Sequence, residues 1–142
     1  MTLGQVTTAG ILAAILFYGV VAVCLGDDQE DIAVTIAAEA CSEGPEGMEA
    51  VASTILNRSK AWHKTPGEIV IQKGQYYGFT AKNRLLRYQE CKNVADRLAL
   101  RVLDGNLPDS VAGGIYFLLP NEKRRVWHKI ATVKILKHQF YK

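Results

Sequence analysis

The first charged side chain in the sequence is Asp27. Residues 1–26 hold no Lys, Arg, Asp or Glu, so all 17 basic and 14 acidic residues fall in 27–142. A chain divided in this way meets two solvents. Ala9 to Gly26 reads AGILAAILFYGVVAVCLG, at the lower end of the roughly 20 apolar residues that cross a bilayer. No polar residue interrupts the run, and Asp27-Asp28 follows at once, which fits an inserted segment better than a buried helix of a water-soluble core. The expected organisation is a membrane anchor over 1–26 and one compact domain over 27–142, large enough to bury a core without staples.

The residues before the run lack the Lys or Arg of an ordinary secretory signal. Cys24-Leu25-Gly26 does place small residues where a signal peptidase reads, so cleavage after Gly26 stays open beside retention. The first basic residue beyond the run is Arg58, so the positive-inside rule assigns no orientation. The favoured reading is an uncleaved anchor with 27–142 outside the cytoplasm. In its Gly and Ala content the run resembles the signal-arrest-release segments of some phage endolysins, which insert and later slip out.

The remainder reads as mainly α-helical. Ile32, Ile36 and Ala40, with Ala33 and Ala37 beside them, recur at helical spacing. Gly44-Pro45 interrupts, and a second helix runs from about Pro45 to Trp62 on a stripe of Met48, Val51, Ala52 and Ile55. Thr65-Pro66-Gly67 breaks the chain, and Glu68 begins a short element. The longest helix spans Leu85 to Asp104, with Leu86, Cys91, Val94, Ala95, Leu98 and Val102 on one side and Gly105 as its stop. Two aromatic stretches beside glycines, Gln75-Tyr76-Tyr77-Gly78-Phe79 and Gly113-Gly114-Ile115-Tyr116-Phe117, read as loops, the second as a loop or short strand. The tail from Trp127 to Tyr141 mixes basic and apolar residues without a clear period.

The net charge of +3 suits an anionic polymer, and by itself does not choose between a cell wall and nucleic acid. Lys123-Arg124-Arg125 is the one tight basic run, and such runs are usually solvated. His63, His128 and His138 show no metal spacing and no HExxH, so no metal or other cofactor is expected. Cys24, Cys41 and Cys91 are an odd set without a CxxC pair, which leaves a cysteine peptidase using Cys41 or Cys91 open. Glu39 stands among Ile36, Ala37, Ala38 and Ala40, where desolvation keeps a carboxyl protonated and fit to act as an acid. Glu43 would share its face if the helix persisted. It is a candidate partner carboxylate, a group orienting Glu39, or a turn residue.

From Ile36 to Gly44 the residues IAAEACSEG resemble the opening motif of the SleB-type cell-wall hydrolases, the spore-cortex-lytic family. The likeness runs on through Pro45 to Ala52 and Ile55-Leu56-Asn57-Arg58. It resumes at Val70-Ile71-Gln72, Gln75-Tyr76, Gly113 to Phe117, Trp127 and His138-Gln139-Phe140-Tyr141. The resemblance implies a lysozyme-like domain that cleaves peptidoglycan between N-acetylmuramic acid and N-acetylglucosamine, as lytic transglycosylase or muramidase. It implies Glu39 as the catalytic acid and no nucleic-acid partner. Glu43, Gln75, Tyr76, Tyr116 and Tyr141 become candidates for holding glycan or orienting the acid. Cys41 and Tyr116 depart from the family, which more often has a polar residue and His there. Together with the endolysin-like anchor, a redox control through Cys24 and Cys41 is a further expectation. The readings outside this class are a tethered, non-catalytic peptidoglycan-binding protein and the cysteine peptidase acting on stem peptides.

Overall fold

The structure, a computed structural model, describes residues 28–119 and 129–142. The run Ala9–Gly26, Cys24, the basic run 123–125 and Trp127 lie outside the described residues. Among the described residues no helix is long and apolar enough to cross a membrane.

Helix α1 (28–40) is the centre of the molecule. The sequence suggests one apolar stripe, yet every residue from Ile32 to Ala38 is buried. A helix that is apolar all round seeks a position with neighbours on every side. Thr35, the polar member, donates its hydroxyl to the Asp31 carbonyl at 2.8 Å, so its burial leaves no orphan group. At Ala40 the backbone leaves helical geometry (φ −137°, ψ 11°), a 3-10 turn spans Cys41–Glu43, and Gly44 turns the chain with φ 74°. That positive φ favours glycine over any residue with a Cβ.

Helix α2 (Gly44–Trp62) starts with Pro in its first turn and lays Met48, Val51, Ala52 and Ile55 against α1 and its neighbours. Helix α3 (Pro66–Val70) starts two residues earlier than the sequence reading put it. Its signal is the capping box: the Glu68 amide donates to Thr65 Oγ1 at 3.2 Å and the Thr65 amide donates to Glu68 Oε2 at 2.8 Å. Helix α4 (Tyr77–Thr80) is a single turn inside what was read as an aromatic loop. Helix α5 (Arg84–Leu103) buries Tyr88, Ala95, Leu98, Ala99 and Val102, and Gly105 follows its end with φ 67°. Leu86, placed on the apolar side by spacing, is 62% exposed.

The main addition to the mainly helical expectation is a sheet. Strands β1 (Tyr116–Leu118), β2 (Ala131–Ile135) and β3 (His138–Tyr141) form an antiparallel sheet of order β1-β3-β2. In the β1–β3 register Tyr116 faces Tyr141 and Phe117 faces Phe140. Phe140 is buried in a small cluster with Ala50, Val111 and Ile135, and Phe117 packs against both this cluster and the helical core. Phe117 thereby links the sheet to the helical core, beside the direct packing of Phe140 and Ile135 with Ala50 of α2.

A disulfide joins Cys41 to Cys91, with Cα atoms 5.9 Å apart. It ties the turn after α1 to the middle of α5. Neither sulfur is a thiol, so the cysteine peptidase loses its nucleophile. The partner of Cys41 is Cys91, and Cys24, the other cysteine of the expected redox control, lies outside the described residues.

Candidate active site

Glu39 sits at the last turn of α1, half-buried, where the apolar helix meets solvent. One carboxylate oxygen, Oε1, accepts a short hydrogen bond from the backbone N–H of Gly78 in α4. Glycine is required for that approach. A Cβ at position 78 would lie 2.8 Å from Ala38 Cβ, 2.9 Å from Glu39 Oε1 and 3.0 Å from the Ala38 carbonyl carbon. Two of these three atoms belong to packed α1 and cannot swing away. Arg87 on α5 donates from Nη1 to the Ala38 carbonyl at 2.9 Å, which satisfies one of the carbonyls that every helix end leaves open. The acid therefore stands on a capped helix end and under a fixed amide.

Tyr76 precedes this loop turn and is buried, with its ring 6.2 Å from that of Phe117. Its hydroxyl has no hydrogen-bond partner among the described residues. Burial pushes the phenol well above its ordinary pKa; the Arg58 charge opposes that shift and the Glu39 charge adds to it. Burial therefore favours the neutral phenol at Tyr76.

Arg58 is the residue that reading the sequence missed. It is 3% exposed. Its Nε donates to the Ile115 carbonyl and its Nη1 donates to the Gln75 carbonyl at 3.4 Å. The guanidinium lies 4.6 Å from the Tyr76 ring centroid, 5.4 Å from Trp62 and 5.7 Å from Tyr116. Aromatic faces and backbone carbonyls surround the charge. Its position was legible in principle. Val51, Ile55 and residue 58 share one helical face, and an Arg on an apolar face must find partners.

Asn57 beside it donates from Nδ2 to Asp109 Oδ1 at 3.1 Å and to the Gly114 carbonyl at 3.2 Å. Asp109 also accepts from the amides of Val111 and Gly113. These bonds shape the chain that leads into β1 and present Tyr116 beside Arg58. Tyr116 lies opposite Tyr141 and carries Lys129 Nζ 3.5 Å above its ring. Gln75, Tyr76 and Tyr116 are thus gathered around Arg58, and Tyr141 joins them through its strand pairing.

Glu43 is elsewhere. Its carboxylate takes the Nδ1 of His138 on β3 at 3.1 Å, and both side chains are 6% exposed. His138 in turn meets Phe117 edge-on, with centroids 5.0 Å apart. A Cβ at Gly47 would lie 2.6 Å from Glu43 Cβ, so this glycine makes room for the pair. The shared face that a continuous helix would give Glu39 and Glu43 is not formed, because the helix gives way at Ala40. The geometry makes Glu43 a strut between α2 and the sheet.

Among the described residues no cluster of His, Cys, Asp and Glu has the makings of a metal site. A family model described as cell wall hydrolase matches residues 42–141, beginning just past Glu39. The chain is similar to the catalytic domain of the germination-specific lytic transglycosylase SleB from Bacillus anthracis, at 24% identity and a TM-score of 0.65. That match covers 82% of this chain and 94% of the other, and it shows the fold. No curated protein matches the chain.

Proposed function

The chain belongs to the cell wall hydrolase family, and from that premise we propose that it cleaves peptidoglycan glycan strands as a lytic transglycosylase, with Glu39 as its single acid and base. The bond cut is that between N-acetylmuramic acid and N-acetylglucosamine. Glu39 gives its proton to the glycosidic oxygen as the bond to the muramyl C1 breaks. The muramyl 6-hydroxyl then closes on C1 and returns its proton to Glu39, leaving a 1,6-anhydro end and a restored acid. No water is consumed.

The observation that carries this reading is the contrast between the two carboxylates. Hydrolysis by two carboxylates needs a second one beside the sugar to act as nucleophile or base. Glu43 is sealed against His138, whereas Glu39 is half-exposed and oriented by the Gly78 amide. One carboxyl group suffices for the transglycosylase sequence. The solved relative, itself described as a lytic transglycosylase, supports the same choice.

Tyr116, Tyr141, Gln75 and Tyr76 are proposed to line the strand's path. The charge-free run Ala9–Gly26 is proposed to tether the domain on the wall side of a membrane. Digestion of peptide-free glycan strands followed by mass spectrometry tests the reaction. Products one water lighter than hydrolysed ones are expected, and products with reducing muramyl ends would replace this mechanism by a muramidase. Fractionation tests the tether: deletion of 1–26 should move the protein from the membrane to the soluble pool.

A further inference from the structure

Tyr77 is 81% exposed. The other described tyrosines are buried or half-buried. Single exposed apolar side chains are common and call for no explanation by themselves. The setting of this one is different. The amide that donates to Glu39 is the one joining Tyr77 to Gly78, so by bond geometry the Tyr77 Cα lies within about 5 Å of the carboxylate oxygen.

The backbone beneath the ring is held on every side. Tyr76 before it is buried under the Arg58 guanidinium. Gly78 after it is pressed against α1. The Tyr77 carbonyl accepts from Thr80 Oγ1 at 3.1 Å and the Gly78 carbonyl accepts from the Ala81 amide at 3.2 Å. An aromatic ring on a fixed backbone loses little conformational freedom when a ligand covers it, and it offers a large flat apolar face.

We propose that Tyr77 is a sugar-stacking platform, which holds the pyranose next to the bond that Glu39 protonates. The proposal rests on the glycan-cleaving reading above and adds to it a residue that sets substrate affinity. The ligand class is a β-linked N-acetylated aminosugar chain, whose rings present axial C–H faces to an aromatic plane. The loop then serves two ends at once: one residue positions the acid and its neighbour positions the sugar.

The test uses peptide-free glycan strands as the probe. Calorimetry compares binding by Glu39→Gln and by Glu39→Gln/Tyr77→Ala, each with residues 1–142 intact. A loss of roughly tenfold in affinity is expected on removing the ring, with Phe or Trp at 77 restoring it and Leu failing to. In the protein with Glu39 intact, Tyr77→Ala should raise KM by a similar factor with kcat little changed. Unchanged Kd and KM in Tyr77→Ala would overturn the proposal, and so would loss in Tyr77→Phe as large as in Tyr77→Ala. Cleavage by Glu39→Gln would instead overturn the role of the acid, which the binding measurements do not address, so the two failures are told apart.

Discussion

Glu39 and Glu43 leave neighbouring turns of the same stretch of chain and meet different partners. The first takes a backbone amide from the loop over α1, with its side chain half open to solvent. The second takes a histidine ring on the sheet and is closed off. The break at Ala40 and the turn at Gly44 separate them. Sequence spacing puts two carboxylates together; the backbone geometry between them assigns one to the candidate site and the other to the framework. A carboxyl group is useful for proton transfer where it is held in place and still open to a substrate. It is useful as a strut where it is enclosed with a partner.

Substitutions at the two positions should therefore separate activity from stability. The largest effect expected is that of Glu39→Gln, which should lower kcat on glycan strands by about 10³-fold or more while the thermal unfolding midpoint stays within a degree or two. A parallel fall in both would dissolve the contrast. Next is the disulfide that ties the chain between the two carboxylates to α5. Replacing Cys41 and Cys91 together by Ser removes a link across a sequence separation of 50, and the chain-entropy model gives such a link about 4 kcal/mol. Denaturant unfolding of the double variant against the oxidised protein measures it.

Glu43→Ala should destabilise by about 2–3 kcal/mol, because His138 is left buried without its partner. The specific activity of the folded fraction should remain near native. Stability unchanged and activity lost would move Glu43 back into the chemistry. Gly78→Ala sharpens the comparison from the other side. The added methyl meets packed α1 atoms, so the amide must withdraw from Glu39, and kcat should fall about tenfold with a smaller change in KM. The smallest effect belongs to Thr65→Ala, whose hydroxyl serves the N-terminus of α3. Loss of its capping box should lower stability by about 1 kcal/mol and leave kcat alone.

The helices could be read from the sequence because their signals are local. Met48, Val51, Ala52 and Ile55 repeat at helical spacing and are buried together, and Gly105 ends α5 where a left-handed residue is required. Glu39 was legible for the same reason, as an ionisable residue inside an apolar repeat. The sheet was not. Its strands are three to five residues long, and β2 alternates poorly because Ala131 and Lys134 are exposed. The β2–β3 turn puts Leu136 at φ 51°, in a region that sequence reading reserves for Gly or Asn.

Long-range partners left no mark in the sequence either. Nothing near Cys41 announces Cys91, and nothing near Gly78 announces that its amide serves a carboxylate 39 residues earlier. Arg58 lay between these cases. Its place on an apolar helix face marks it as buried, while the carbonyls and rings that receive it come from other segments of the chain.

The most direct test of the account is product analysis on defined, peptide-free glycan strands with three proteins: native, Glu39→Gln and Glu43→Gln. The account predicts 1,6-anhydromuramyl ends from the native protein and from Glu43→Gln, and none from Glu39→Gln. Anhydro ends released by Glu39→Gln at a native rate would contradict it.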